Sequence, residues 1–108
     1  GGVEQDKFLN GALEIKTLLS PKELLVELHR IEAHANRERL VHWGPRTLDL
    51  DIIFYDDLVM DEEELCIPHI DMCNREFVLK PMMELAPYKR HPVTGKSVQE
   101  MLTELRSK

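Results

Sequence analysis

A two-layer α+β arrangement, of the split-βαβ kind, is the fold class that these 108 residues predict. Three observations lead there. Residues Leu48 to Asp51 alternate apolar and acidic and run on into Ile52-Ile53-Phe54-Tyr55, the pattern of a β-strand. An earlier stretch, Ala12-Leu13-Glu14-Ile15-Lys16-Thr17, alternates in the same way. Two Ser-x-x-Glu sequences, at Ser20–Glu23 and Ser97–Glu100, have the form of capping boxes that open helices. Strands and helices interleaved over so short a chain suit one small layered domain, and no internal repeat or low-complexity segment competes with that reading.

In chain order, Gly1 to Lys7 reads as a loop and the first strand follows around Ala12–Thr17. Ser20 caps a helix with Pro21 at its first position, where a missing N–H costs nothing. Leu24, Leu25, Leu28 and Ile31 give that helix a buried stripe, and His29, Arg30 and Glu32 mark its polar face. It is expected to end near Ala35, with Asn36 to Gly44 as a loop exposing Arg37 and Arg39. Gly44-Pro45 is a turn before the acidic strand, Leu48 to Tyr55. A second short strand is expected around Leu58-Val59-Met60. Asn74 is expected to cap a helix through Phe77, Val78 and Leu79, which Pro81 kinks and Pro87 ends. His91 to Lys96 is a turn. The last helix then places Val98, Met101, Leu102 and Leu105 inward.

Composition narrows the function classes. A net charge of −6 argues against a surface for polyanions, and so against a nucleic-acid role. No apolar run approaches the length of a membrane span. Cys66 and Cys73 are the only cysteines and form no CxxC pair, which fits a reducing, cytoplasmic setting better than a zinc site or disulfide framework. Charge is unevenly spread. Asp56, Asp57, Asp61, Glu62, Glu63 and Glu64 make an acidic block, while Arg30, Arg37, Arg39 and Arg46, with His29, His34 and His42, make the stretch before the acidic strand locally basic. That basic stretch is either a solvated helix end and loop or a holder for a small anion.

The strongest chemical signal is the pair Asp49 and Asp51. Aspartate is depleted in strands, so two on one face cost stability unless something binds them. At roughly 6.5–7 Å between their Cα atoms, the carboxylates can converge on hard cations. Mg²⁺ suits such a pair, because it is usually held by one or two carboxylates plus waters and substrate phosphates. The alternative is a strand whose solvent face happens to carry two acids. The flanking Arg37, Arg39, Arg46 and Arg75 favour phosphate chemistry, since the planar guanidinium matches phosphate oxygens; singly, each reads as a surface ion pair. His69 is either an incidental loop histidine or a donor to phosphate. Phe8 and Phe77 are either core residues or two faces enclosing a planar ring whose edge Asn10 could read.

These residues, taken together, resemble a known family. Phe8-Leu9-Asn10, Arg30-Ile31-Glu32, Arg37 and Arg39, the run Trp43-Gly44-Pro45-Arg46-Thr47-Leu48-Asp49-Leu50-Asp51, Pro68-His69, Asn74-Arg75-Glu76-Phe77-Val78-Leu79 and Pro81 are similar to the 6-hydroxymethyl-7,8-dihydropterin pyrophosphokinases of folate synthesis. The central nonapeptide is far more specific than an isolated DxD, and the resemblance covers essentially the whole chain. It implies transfer of pyrophosphate from ATP to the hydroxymethyl group of the pterin, with release of AMP. It implies two Mg²⁺ ions on Asp49 and Asp51, and a mobile catalytic loop bearing Arg37 and Arg39 that closes over ATP. It also implies nucleotide contacts from His29, Arg39, Arg46, Ile52, His69 and Arg75, and a pterin held between Phe8 and Phe77 with Asn10 at its edge.

The chain departs from the family pattern at several places. Phe8 stands where tyrosine is frequent, His42 where arginine is common, Ile70 where tyrosine follows the histidine, and Glu76 where a small residue precedes the phenylalanine. The stretch between Arg39 and Trp43 is about one residue short. The family fold is a ferredoxin-like two-layer sandwich that begins with a strand, a helix and a second strand ahead of the Phe8 region. These are absent here, so residues 1–108 are expected to be the C-terminal two-thirds of one domain, impaired on their own. Two alternatives accompany this reading. One is a truncated, non-catalytic module that binds nucleotide and metal. The other is part of a protein fused to, or associated with, another folate-pathway enzyme, such as a dihydroneopterin aldolase.

Overall fold

The computed structural model describes residues 10–42 and 48–108, residues 39–42 by their backbone alone. The chain divides into two units, one of Thr17–His69 and one of the residues up to Lys16 together with Ile70–Lys108.

In the Thr17–His69 unit, the capping box at Ser20 forms as expected. The Glu23 N–H donates to Ser20 Oγ at 3.2 Å, and the Ser20 N–H donates to Glu23 Oε1 at 2.8 Å. Helix α1 spans Pro21–His42. It passes the expected end near Ala35, and Arg37 and Arg39 therefore lie on a helix instead of a loop. The reason is local. Residues 37–41 are Arg-Glu-Arg-Leu-Val, mostly good helix formers, and the first strong breakers are Gly44 and Pro45. Leu24 is buried and Leu25 and Leu28 are half-buried, but Ile31 is exposed, so the apolar stripe is shorter than the sequence predicts.

Among the described residues the sheet is an antiparallel hairpin of β1 (Met60–Asp61) and β2 (Cys66–Ile67), with Met60 opposite Ile67 and Asp61 opposite Cys66. Strand β1 starts at Met60, later than expected. The acidic block supplies the turn: Glu62 and Leu65 exchange backbone bonds of 3.0 and 3.2 Å. Lys22 of α1 answers this charge, with Nζ 2.6 Å from Glu62 and 3.2 Å from Glu64. Beneath lies a core of Leu24, Ile52, Leu65 and Ile67, flanked by Leu19, Leu25, Leu28, Tyr55 and Met60. Residues 48–55 join no ladder, contrary to the strand expected there. Their backbone groups find other partners, described below.

In the second unit, residues 12–16 form no strand among the described residues. Leu13 and Ile15 are exposed, and without a neighbouring strand an isolated one has nothing to satisfy its backbone groups. A 3₁₀ turn, Met72–Asn74, leads into α2, Glu76–Leu85. Asn74 does not cap this helix. Its N–H donates to Asp71 O at 3.0 Å within the turn, and Arg75 in extended conformation takes the N-cap position without a side-chain bond. Helix α2 runs through Pro81, which removes only the bond to the Phe77 carbonyl. The turn after Pro87 closes through His91 N–H to Lys96 O and Gly95 N–H to His91 O, both 2.8 Å, with Gly95 at φ 75°. Helix α3, Val98–Arg106, opens on the Ser97–Glu100 capping box and buries Val98, Met101 and Leu102. Met72 and Leu79 complete the buried residues here, and α2 packs on α3. Among the described residues, no helix is long and apolar enough to cross a membrane.

Candidate functional site

The burial of residues 48–52 follows the predicted alternation. Leu48 and Leu50 are half-buried, Ile52 is buried, and Asp49 and Asp51 are exposed. Among the described residues none hydrogen-bonds or ion-pairs with either carboxylate. Ile52 anchors the end of the run in the core. The residue is 8% exposed.

The backbone of this run is held by α1. Leu48 N–H donates to Asn36 Oδ1 at 2.7 Å, and Asn36 Nδ2 donates to Leu48 O at 3.5 Å. Leu50 N–H donates to Glu32 Oε2 at 2.5 Å. Glu32 is thus half-buried and faces the acidic run, where the sequence reading placed it on a solvent face. Neither Glu32 nor Asn36 was singled out as a site residue. The signal that could have found them is their i, i+4 spacing, which puts both on one side of a helix.

His69 sits beside the same run, its N–H donating to Ile53 O at 2.9 Å, and its side chain is half-buried. His29 and Arg37 are exposed on α1, and Arg37 follows directly on the Asn36 that grips Leu48. The structure therefore places Asp49, Asp51 and Ile52 along α1, with His69 beside Ile53, within one unit. Trp43 and Arg46 lie outside the described residues, as does the side chain of Arg39.

The other unit holds a cavity of about 490 Å³, within the range of small-molecule sites. Asn10 and Phe77 line it together, with Lys80, Pro81 and Glu84. Phe77 is half-exposed, so its ring is open to a ligand instead of filling a core. The Arg75 guanidinium lies 5.6 Å from the Phe77 ring centroid, within cation–π range, and its Nη2 is 3.3 Å from Asp71 Oδ2. Glu76, the departure beside Phe77, is engaged elsewhere. It accepts from Arg106 at 3.2 and 3.3 Å, and the Arg106 charge holds its carboxyl below the usual range. Phe8 lies outside the described residues.

Two sets of residues thus emerge, one of exposed carboxylates and one around an aromatic cavity. Comparison with known proteins decides what they belong to. The model of the family 7,8-dihydro-6-hydroxymethylpterin-pyrophosphokinase (HPPK) matches residues 2–87. The chain belongs to the HPPK family. Similar relatives carry that activity in their names. A 2-amino-4-hydroxy-6-hydroxymethyldihydropteridine pyrophosphokinase of Synechocystis is 43% identical over 104 residues, 96% of this chain and 53% of that protein. One from Haemophilus influenzae is 50% identical over 86 residues, 80% of this chain and 54% of its own length. The bifunctional protein FolKE of Lactococcus lactis subsp. lactis is 53% identical over 103 residues, 94% of this chain and 30% of that protein. The chain therefore spans about a third to about half of these relatives. The HPPK match covers both Asp49–Asp51 and the Asn10–Phe77 cavity.

Proposed function

We propose that this chain carries the ATP- and pterin-handling residues of a pyrophosphokinase. The reaction moves pyrophosphate from ATP to the hydroxymethyl group of 6-hydroxymethyl-7,8-dihydropterin and releases AMP, in folate biosynthesis. The observation that carries the reading is the exposed Asp49–Asp51 pair, without a partner among the described residues, in a run whose Leu48 and Leu50 are tied to α1, in a chain of this family.

The donor set fits Mg²⁺. It is made of oxygen alone, it is open to water on one side, and among the described residues no cluster of three or more His, Cys, Asp or Glu forms an all-protein cage. Mg²⁺ commonly takes one or two carboxylates and completes its shell with phosphates and water. Asp49 and Asp51 would hold two ions, which supply neutralising charge to the phosphate oxygens when bound. The chain's own groups position the nucleotide. Arg37, Arg39, Arg46 and Arg75 match phosphate oxygens with planar, permanently charged forks. His69 and His29 offer ring N–H donors, and Ile52 offers its backbone. Attack at the β-phosphorus needs alignment and charge stabilisation more than a strong base, which is what these groups provide.

The acceptor belongs in the Asn10–Phe77 cavity. A planar pterin stacks on the half-exposed Phe77 ring, Phe8 supplies the second face, and the Asn10 amide, at once donor and acceptor, reads the ring edge. The finer fold we infer is the ferredoxin-like sandwich of the family, to which residues 1–108 contribute the C-terminal two-thirds of one domain. A cytoplasmic setting accords with this chemistry.

The test is AMP release from Mg²⁺-ATP in the protein that carries this chain, with and without the pterin. AMP formation that requires the pterin and is abolished by Asp49→Asn or Asp51→Asn, with the far-UV circular dichroism unchanged, is expected. ATP hydrolysis indifferent to the pterin, or near-full rate in either variant, would overturn the assignment. A second reading concerns what surrounds the chain. The Lactococcus relative is named as bifunctional, and a relative 43% identical over 104 residues, of which they are 14%, is the folic acid synthesis protein fol1 of Schizosaccharomyces pombe. These names support fusion to, or association with, another folate-pathway enzyme.

A further inference from the structure

We infer that Asn36, with Glu32 one helical turn before it, is a positioning residue for the Asp49 carboxylate. The inference rests on the reading of Asp49 and Asp51 as cation ligands, and adds two residues that neither the sequence motif nor the comparisons assign. Its basis is where the backbone bonds fall. Asn36 takes both polar groups of Leu48, the N–H at 2.7 Å and the carbonyl at 3.5 Å, and Glu32 takes the N–H of Leu50 at 2.5 Å. Asp49 is the residue between. Its backbone is fixed on either side, and its side chain is left on the exposed face.

The spacings explain why a helix can do this. Residues i and i+4 of a helix are separated by about 6.0 Å along its axis. Residues i and i+2 of an extended chain are separated by roughly 6.6 Å. Glu32 and Asn36 therefore meet Leu50 and Leu48 in register, with the acidic run antiparallel to α1. In effect the two side chains serve as a neighbouring strand for a segment that has none among the described residues. Their amide and carboxylate lie along the edge of the run, while Leu48, Leu50 and Ile52 take its inner face and Asp49 and Asp51 its exposed face. A carboxylate that is free to swing would have to be ordered when the cation binds. One already held in place is not, and groups that orient metal ligands are commonly worth 10- to 100-fold in metal affinity or activity.

Mn²⁺, a spectroscopic substitute for Mg²⁺, provides the test, through titration of the protein that carries this chain, read by the free-ion electron paramagnetic resonance signal. Asn36→Ala changes no charge, and is expected to weaken Mn²⁺ binding about tenfold or more. Glu32→Ala is expected to do likewise, whereas Glu32→Gln, which keeps an acceptor for Leu50 N–H, restores binding to within about threefold and so separates geometry from charge. Hydrogen exchange of the unsubstituted chain supplies a readout independent of metal and of variant folding, with slowed exchange expected at the Leu48 and Leu50 amides. Fast exchange at both, or affinities within about threefold of the parent for Asn36→Ala and Glu32→Ala while Asp49→Asn abolishes binding, would overturn the positioning role and leave the cation reading standing. Unchanged Mn²⁺ binding in Asp49→Asn would overturn both.

Discussion

Shortening Ile52 tests whether the acidic run is anchored by packing as well as by hydrogen bonds. Ile52 is 8% exposed and sits in the cluster with Leu24, Leu65 and Ile67, one residue after Asp51. Ile52→Ala deletes three carbons. At about 0.8 kcal/mol per buried methylene this is about 2.4 kcal/mol of lost transfer free energy, and the cavity left behind brings the cost to roughly 3–4 kcal/mol. Ile52→Val removes one carbon from the same place and should cost about 1 kcal/mol. Urea unfolding of the full chain, followed by far-UV circular dichroism, measures both through the midpoint shift at constant slope. Leu79→Ala, at a fully buried position of the other unit, calibrates the method, with an expected loss of roughly 2–5 kcal/mol. If Ile52→Ala cost under about 1 kcal/mol while Leu79→Ala cost its full amount, the side chain would not be seated as described. The acidic run would then be held by its hydrogen bonds to Asn36, Glu32 and His69.

Three further outcomes are expected. Ser97→Ala removes the acceptor for the Glu100 N–H, bonded at 3.0 Å, at a buried N-cap, and should destabilise the chain by about 1 kcal/mol on thermal unfolding. The Glu23 and Glu100 carboxyls are held below their usual range, foremost by the Ser20 and Ser97 backbone N–H groups. Their folded pKa values are depressed, so the stability they add is present above the ordinary value of 4.5 and is lost as pH falls through the folded values. Thermal melts at descending pH should show an acid limb that Glu23→Gln with Glu100→Gln flattens. Burial lowers the His91 pKa below 6.5, and its Nδ1 accepts the Val93 and Thr94 N–H groups, both at 3.2 Å. Stability should therefore decline as pH falls from about 6.5 through the lowered value, a slope that His91→Gln removes.

Local chemistry made much of this legible from residues alone. Both capping boxes, the turn at Gly95 and the inward face of α3 follow from bonds between near neighbours, which the sequence spells out. The alternation of Leu48 to Ile52 was likewise readable, because a period of two survives whether or not a neighbouring strand is present. What could not be read was the identity of the backbone's partners. Residues 12–16 and 48–55 have strand patterns, but a pattern specifies a face and not the ladder it joins. In the second segment helix side chains took that place. Helix length failed for a related reason. Asn36 reads as a stop by propensity, yet its side chain is committed to Leu48, and the residues after it favour the helix. The candidate site was legible as chemistry, in Asp49, Asp51 and Phe77, and illegible in Glu32 and Asn36, whose role exists only once α1 faces the acidic run.

The proposed cation ligands and the proposed pterin residues fall in different units, which makes those two assignments separable, while the residues assigned to the nucleotide include Arg75 of the second unit. Asp49, Asp51 and His69 lie in Thr17–His69, while Asn10, Arg75 and Phe77 lie in the other unit. Phe77→Ala removes the half-exposed ring from a cavity whose other lining is mainly aliphatic and polar. Stacking of this kind is worth about 0.5–1.5 kcal/mol beyond the area it buries, so pterin binding should weaken roughly tenfold or more. The Mn²⁺ affinity should stay unchanged, because both carboxylates assigned to the cation, Asp49 and Asp51, lie in the Thr17–His69 unit. Asp49→Asn should give the opposite pattern. Calorimetric titration with the pterin, set beside the Mn²⁺ titration for each variant, reads both. Loss of Mn²⁺ binding in Phe77→Ala, with the fold intact, would mean that the cation and the pterin share ligands and that the division into two half-sites is wrong.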